Sequence, residues 1–203
     1  MSICLSIDPG TTHSGIVRYC LTTRRTLYTE AALPNALVAG MLRANLRQDV
    51  PDTVVVERIA AMGMAVGREV FTTCEWVGYF AAAAGVSPLE LNSLTRNQVK
   101  IALCGTAKAK DPNIRQRLLD LHGGNAAADK ARKCKPCKGR GFVRVGKPKH
   151  TEHCDDCNGT GWTESGPIAG VVSHALSALA VAVAWGMRRD ELADAVALAE
   201  AVF

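Results

Sequence analysis

Two short apolar runs, each ending in a carboxylate, most constrain the fold of this chain. Residues 3–7 form a strand-like run that ends at Asp8, just before Pro9-Gly10. A carboxylate at the end of a buried strand is costly unless it is paired or bound to a cation. Alone, this motif suits a surface aspartate that opens a hairpin equally well, but residues 53–56 repeat the pattern and end at Glu57. We therefore expect neighbouring strands that present both carboxylates at one sheet edge, as a metal-binding pair.

Hydrophobic periodicity predicts strands and helices along most of the chain. Gly85 and Pro112 mark a helix end and a helix start. Strands are expected at 3–8, 14–21, 24–31, 53–57 and 88–92, and helices at 34–48, 68–84, 97–103, 112–121, 166–185 and 190–201. This order predicts an α/β fold in which a mixed five-stranded sheet is flanked by helices.

The composition fits one globular domain with an insertion. The chain has 203 residues, of which 48% are hydrophobic, and this excludes a disordered chain. A formal charge of +5 is compatible with a polyanionic partner. The apolar stretch 168–185 contains Ser173, His174 and Ser177, which predicts a buried helix and no membrane partner. Asp8 interrupts the N-terminal apolar run, so no signal peptide is expected. Together with isolated cysteines that suit reduced thiols, this favours a cytoplasmic protein.

Residues 130–163 differ from the rest of the chain because they are rich in lysine, arginine, cysteine and glycine. The motif Cys-x-x-Cys-x-Gly-x-Gly occurs there twice, at 134–141 and 154–161. The repetition disfavours a redox cysteine pair, and the motif resembles half of the zinc region of DnaJ-type chaperones. Four thiolates at this spacing form a tetrahedral structural zinc site, which would hold together a segment too poor in aliphatic residues to fold by burial. The expected ligands of one Zn²⁺ are Cys134, Cys137, Cys154 and Cys157.

Basic residues gather between the two cysteine motifs. A β-hairpin is expected from Phe142 to about His150, and it carries Arg144, Lys147 and Lys149. Such a one-sided basic arm suggests contacts with DNA phosphates. A stabilising insertion with a solvated basic face remains the alternative.

The element order and four motifs resemble the RuvC-type Holliday-junction resolvases of the RNase H-like superfamily, especially phage-encoded relatives. The motifs lie within residues 1–123 and 166–186, in the family's order and spacing. They are residues 7–10 (Ile-Asp-Pro-Gly) with Gly15, residues 54–57 (Val-Val-Val-Glu), residues 97–100 (Asn-Gln-Val-Lys) with Gly105, and residues 173–182. The resemblance implies an RNase H-like nuclease domain of residues 1–129 and 164–203 that carries 130–163 as a zinc-ribbon-like insertion. A phage origin would place the protein in the host cytoplasm.

The resemblance implies a metal-dependent, structure-selective DNA endonuclease that resolves four-way junctions by phosphodiester hydrolysis. In the family, clustered acids hold two divalent ions, Mg²⁺ or Mn²⁺, which generate the attacking hydroxide and steady the leaving 3′-oxygen. Carried over to this chain, Asp8 would bridge the ions and Glu57 would bind one of them. The two-fold symmetry of a junction implies a homodimer.

Two stretches depart from the family pattern. The closing helix offers His174 and then Ser177, where the family generally has an acid or histidine followed by an acid. His174 is expected to be a metal ligand or a water-orienting base, with a core histidine as the alternative. Ser177 is expected at the family's next catalytic position, where it keeps the helical spacing but not the charge; a helix residue with no metal role is the alternative. Ala60 stands where the family often has an aromatic wedge, for which Met62 or Met64 are the possible substitutes.

Three lysines match or lie near phosphate-contacting positions of the family. Lys100 matches one such position, and Lys108 and Lys110 lie near another, although helix-terminal lysines are usually only solvated. Two further functions stay open. Ala60 favours a less selective nuclease acting on flaps or branched DNA, and Ser177 favours a catalytically weak branched-DNA-binding protein.

Overall fold

The computed structural model of the chain describes residues 2–48, 53–60, 66–140, 142–145 and 150–200. The strands are β1 (Ile3–Asp8), β2 (His13–Cys20), β3 (Arg25–Pro34), β4 (Thr53–Arg58), β5 (Asn92–Thr95), β6 (Phe142–Val145) and β7 (His150–His153). The α-helices are α1 (Asn35–Gln48), α2 (Arg68–Ala83), α3 (Arg96–Cys104), α4 (Asp111–Leu121) and α5 (His174–Glu200). Two 3₁₀ helices lie at Asn125–Ala128 and Asp155–Cys157.

The first five strands form one mixed sheet in the order β3-β2-β1-β4-β5. β2 is antiparallel to both β1 and β3, whereas β4 is parallel to β1 and β5 is parallel to β4. The C-terminal ends of β1, β4 and β5 therefore meet at one edge of the sheet. The predicted mixed five-stranded sheet flanked by helices is confirmed.

Helices cover both faces of this sheet, and the alternation of side chains along the strands assigns each apolar residue to one face. Ile7 and Val56 point to the face covered by α1 and α2, where they pack with the fully buried Phe80. Val55 points to the opposite face, where it shares a second core with Leu179 of α5 and with residues of α3 and α4. Burial on both faces explains why β1 and β4 are nearly continuous apolar runs.

The position of β5 differs from the sequence prediction. The strand was expected at 88–92, but Ser87–Glu90 form a turn in which the carbonyl of Ser87 accepts from the amides of Glu90 and Leu91. Pro88 has no amide hydrogen to offer a strand, and the side chain of Leu89 is 90% exposed. Parallel pairing with β4 begins only at Asn92, opposite Val55.

The last part of the chain also differs from its prediction. The expected helices at 166–185 and 190–201 are one helix, α5, which begins at His174 and runs to Glu200. Residues 166–173 instead form turns, with Gly170 and Ser173 at positive φ. Gly186 does not break α5, and a Cβ atom there would lie 2.9 Å from the end of the Leu21 side chain, so the glycine lets the helix pack closely against this residue. None of the helices in the described ranges is long and apolar enough to cross a membrane.

The cysteine-containing segment leaves and rejoins the rest of the chain at adjacent points. The amide of Gly166 donates to the carbonyl of Asp129 at 2.8 Å, and the amide of Thr163 donates to the carbonyl of Arg132 at 2.8 Å. Within the segment, β6 and β7 pair as an antiparallel hairpin. The two ends of the segment thus run side by side into the domain.

Candidate active site

Asp8 and Glu57 lie next to each other at the sheet edge where β1 and β4 end. Ile7 is paired with Val56 in the parallel register, so the two acids are the next residues along neighbouring strands and face the same side. Their side chains are only 16% and 15% exposed. Both line a cavity of about 240 Å³, together with Pro9, Arg58, Ile59, Ala60, Arg96 and Asn97.

The turn after Asp8 is held by a small polar network that the sequence analysis missed. The side-chain amide of Asn35, the first residue of α1, donates to the carbonyl of Gly10 at 2.9 Å. The buried hydroxyl of Ser14 donates to Oδ1 of Asn35 at 2.7 Å. These bonds join the start of α1 to the loop between β1 and β2. They therefore hold in place the loop that directly follows Asp8.

Gly15 brings the start of α5 against the sheet beside Asp8, its partner in the β1–β2 register. A Cβ atom on Gly15 would lie 2.3 Å from the backbone carbonyl carbon of His174, so no side chain fits there. This close approach places Nδ1 of His174 3.0 Å from Oδ2 of Asp8. Ser177 follows one helical turn later, and its hydroxyl lies close enough to Asp8 to lower the pKa of that carboxyl. Both predicted helix residues therefore reach the first acid.

Burial and mutual repulsion disfavour negative charge on the two acids. Burial and then the charge of Asp8 raise the pKa of Glu57 to about 7, although Arg96 opposes the shift. Burial also raises the pKa of Asp8, against the opposing effects of His174, Arg96 and Ser177. A nearby cation would stabilise the charged forms of two such buried carboxylates.

Arg96 and Asp111 belong to this site but were not identified from the sequence. Arg96 is the first residue of α3, directly after the strand that ends beside β4. Its Nη1 lies 3.5 Å from Oε2 of Glu57, and its Nη2 contacts Oδ1 of Asp111 at the start of α4. Thr95 and Gln98 form a capping box that defines the start of α3. This capping box could have identified Arg96 as the first residue of a helix that directly follows a strand. The sequence prediction ended β5 at residue 92 and so separated Arg96 from the end of the strand.

The carboxylates fit a divalent metal ion. Oε2 of Glu57 is buried and is held only by the 3.5 Å ion pair with Arg96, so this oxygen keeps the capacity to bind a cation. Carboxylate oxygens are the ligands that Mg²⁺ prefers. Within the described residues, only a group of cysteines brings three or more potential ligand atoms within 4.8 Å of one another. The ligand atoms of Asp8, Glu57 and His174 are therefore spread more widely than that.

The four cysteines of the insertion meet at one point. Their Sγ atoms all lie within 4.8 Å of one another, with 3.6 Å between Cys134 and Cys154 and 3.8 Å between Cys137 and Cys157. A disulfide would require about 2.05 Å. Thiolates around a tetrahedral zinc, each about 2.3 Å from the ion, lie about 3.8 Å apart. The cluster therefore has the geometry to hold a zinc ion.

Both cysteine motifs adopt the same tight turn. The amide of Gly139 donates to the carbonyl of Cys134 at 3.2 Å, and the amide of Gly159 donates to that of Cys154 at 3.1 Å. Both glycines have positive φ, which explains their place in the motif. The amide of Gly161 donates to Sγ of Cys157 at 3.3 Å, and such bonds stabilise a thiolate.

The predicted DNA-contacting lysines lie on the elements that carry Arg96 and Asp111. Lys100 is one helical turn after Arg96 on α3 and is half-buried. Lys108 and Lys110 are exposed in the connection from α3 to α4, and Lys110 directly precedes Asp111.

The structure places the remaining predicted residues only in part. The backbone of Arg144 lies in β6, opposite Thr151 of β7. Ala60 lines the cavity beside Glu57 and offers no large side chain. Four residues lie outside the described ranges: Met62, Met64, Lys147 and Lys149.

Comparison with known proteins identifies the fold. The sequence matches no protein-family model, and no curated protein matches it. The structure is similar to that of Thermus thermophilus RuvC, with a TM-score of 0.56 and 18% identity over 93% of this chain and 96% of that chain. It is also similar to T. thermophilus RuvC in complex with a Holliday junction substrate, with a TM-score of 0.54 and 16% identity over 94% and 96% of the two chains. The chain therefore has the RuvC fold.

Proposed function

We propose that this protein is a metal-dependent, structure-selective endonuclease that cuts four-way DNA junctions. One observation carries the proposal: Asp8 and Glu57 share a cavity at the ends of adjacent strands, on a fold similar to that of a protein solved with a Holliday junction. Two buried carboxylates with raised pKa values support a cation at this place, because a cation would stabilise their charged forms.

Asp8, Glu57 and His174 would hold the divalent ions, for which we propose two Mg²⁺ or Mn²⁺ per site. Bound ions would lower the pKa of a water and neutralise charge on the transferred phosphate. Cleavage forms a bond from a water oxygen to phosphorus and breaks the bond from phosphorus to the 3′-oxygen, which leaves 5′-phosphate and 3′-hydroxyl ends. When Nδ1 of His174 donates to Asp8, Nε2 is free to bind an ion or accept the proton of the attacking water. The leaving oxygen takes a proton from solvent.

We further propose that the insertion is a zinc module that contacts DNA. The sulfur geometry supports one structural Zn²⁺ on Cys134, Cys137, Cys154 and Cys157. The hydrogen bonds that join residues 129 and 166 support a division into a nuclease domain, 1–129 and 164–203, and an insertion, 130–163. The basic residues proposed to contact phosphates are Lys100, Lys108, Lys110, Arg144, Lys147 and Lys149.

A second candidate function is branched-DNA binding with weak catalysis. Ser177 reaches Asp8, but its hydroxyl brings no negative charge to the metal site. A less selective flap nuclease is the other candidate, because Ala60 puts only a methyl group beside the cavity. We favour junction cleavage and propose a homodimer, since a four-way junction presents two equivalent cleavage points.

The decisive experiment compares cleavage of matched four-way, flap and linear duplex substrates with Mg²⁺ or Mn²⁺. We expect paired cuts in the four-way junction, and a loss of cutting of at least about 10³-fold in Asp8→Asn and Glu57→Gln, which remove charge at nearly constant shape. Both variants should still bind the junction. Ser177→Asp should keep or raise the rate.

The outcomes separate the candidates. Faster cutting of flaps than of junctions would favour the less selective nuclease. Tight junction binding without cutting, restored by Ser177→Asp, would favour the binding protein. Full activity in Asp8→Asn would contradict the site itself.

A further inference from the structure

Arg96 places a charged, oriented side chain inside the candidate active site. Its guanidinium lines the same cavity as Asp8 and Glu57. The two terminal nitrogens of this guanidinium contact two different acids: Nη1 lies near Glu57, and Nη2 contacts Asp111. A planar guanidinium held at one side presents its other donors in a fixed direction. The backbone supports this orientation, because Arg96 begins α3 immediately after the Thr95 cap.

The contact between Arg96 and Glu57 leaves hydrogen-bonding capacity unused. Nη1 and Oε2 form an ion pair at 3.5 Å, and neither of these buried atoms makes a closer hydrogen bond. Buried polar groups normally make short hydrogen bonds, so a donor held only by a long ion pair keeps the capacity to bind a closer acceptor. A phosphate oxygen is the acceptor that a guanidinium fits best.

The charge of Arg96 persists in this environment. A guanidinium keeps its proton in proteins, and that of Arg96 lies between the carboxylates of Glu57 and Asp111. The side chain therefore acts as a hydrogen-bond donor and a positive charge, and it transfers no proton. The N-terminus of α3 adds partial positive charge at the same edge of the cavity.

We propose that Arg96 is a catalytic residue that donates from Nη1 to a non-bridging oxygen of the scissile phosphate, and that Asp111 is the positioning residue that holds it. This inference rests on the proposed nuclease function and adds a protein cation to the site. Negative charge on the phosphoryl oxygens is stabilised in the transition state by preorganised donors of this kind. A cation from the protein suits a site in which Ser177 stands in place of an acid.

Four variants test this role: Arg96→Gln, Arg96→Lys, Asp111→Asn and, as the matched control, Arg115→Gln, which removes an exposed arginine of α4. We expect Arg96→Gln to lower the junction-cleavage kcat by about 10²-fold or more, the loss typical of one transition-state donor. Arg96→Lys keeps the charge without the fork and should recover part of the rate. Asp111→Asn should lower kcat less than Arg96→Gln does and leave KM nearly unchanged. Arg115→Gln should cut like the unmodified protein.

A binding measurement distinguishes contact with the phosphate from a structural ion pair. In the Asp8→Asn background, affinity is measured for junctions that carry one uncharged methylphosphonate at each phosphate near the branch point. We expect a methylphosphonate at one of these phosphates to weaken binding by about fivefold or more when Arg96 is present. The same methylphosphonate should have no effect on binding after Arg96→Gln. Thermal unfolding of each variant shows whether the fold has changed.

The results separate this inference from the proposed function. If the unmodified protein and Arg115→Gln cut junctions and Arg96→Gln cuts equally well, the role of Arg96 is overturned and the nuclease function stands. A methylphosphonate penalty that persists in Arg96→Gln, with a lowered unfolding temperature, would make Arg96 a structural residue. If the unmodified protein binds junctions without cutting them, the methylphosphonate series still decides whether Arg96 contacts phosphate. If it neither binds nor cuts them, both proposals fail together.

Discussion

The sheet domain, which is the five-stranded sheet with its helices, and the cysteine insertion, which contains β6, β7 and the four cysteines, are held together by different means. The domain buries two apolar clusters, one on each face of its sheet, which include Phe80 and Leu179. Among the described residues of the insertion, the buried cluster consists of the four cysteines, with Val143 packed against it. Burial can therefore fold the domain, whereas the insertion would depend on a metal ion bound by its thiolates.

Metal ions would also act differently in the two regions. In the insertion, a zinc ion would create the folded state, because the buried cluster of its described residues is built from the four cysteines. At Asp8 and Glu57, the acids are already held by packed strands, and an ion would relieve a charge that burial disfavours. A bound metal ion would thus have a structural role in the insertion and a chemical role beside Asp8 and Glu57.

The largest expected effect is the loss of zinc from the insertion. Cys134→Ser should abolish the one zinc per chain found by elemental analysis and unfold residues 130–163, because structural zinc sites contribute about 10–16 kcal/mol in small domains. Limited proteolysis should then cleave this segment while the domain remains intact. Collapse of the domain in the same variant would show that the two regions are not independent.

Two phenylalanines, one in the domain and one in the insertion, test whether burial stabilises the two regions to different extents. Phe80→Ala should lower the free energy of unfolding of the domain by about 3–5 kcal/mol, since Phe80 is fully buried. Phe142→Ala, in the 39% exposed hairpin position, should cost about 1 kcal/mol or less. Urea unfolding measures both, and zinc content should stay unchanged in Phe80→Ala. Equal losses from the two variants would contradict a division into a packed domain and a metal-held insertion.

The smallest effect concerns the pH dependence of the domain without Mg²⁺ or Mn²⁺. The folded pKa of Glu57 is about 7 against an ordinary 4.5, so the folded state holds a proton more tightly than the unfolded chain between these values. Stability should therefore fall as pH rises from about 4.5 to 7, by up to about 3 kcal/mol, and Asp8 should contribute in the same direction.

Urea unfolding at several pH values measures this dependence, and two variants assign it. Glu57→Gln should flatten the dependence and be more stable than the unmodified protein at pH 8. Cys134→Ser should leave it in place, since the effect belongs to the domain. A slope of opposite sign, or one unchanged by Glu57→Gln, would show that the burial of this acid is not its cause.

Much of the fold was predictable because its signals are local. Short stretches of sequence contain each of these signals: the apolar runs of the buried strands, the carboxylates at residues 8 and 57, and the spacing of the cysteines. The errors also have local causes. Leu89 lies in an apolar stretch that resembles a strand, but the proline before it prevents pairing, and β5 forms four residues later than expected. The turns of residues 166–173 were assigned to a helix because Pro167 also suits a helix start.

By itself, the sequence determined that Asp8 and Glu57 end neighbouring buried strands and that four cysteines are spaced for one metal ion. Only the tertiary structure decided what surrounds those acids. Arg96 lies 39 residues from Glu57 and 15 from Asp111 in the chain, so no local pattern joins the three. Their meeting depends on the parallel pairing of β4 and β5 and on the packing of α3 beside α4. Side chains far apart in sequence become neighbours only when strands and helices pack, and their charges then set the chemistry of the site.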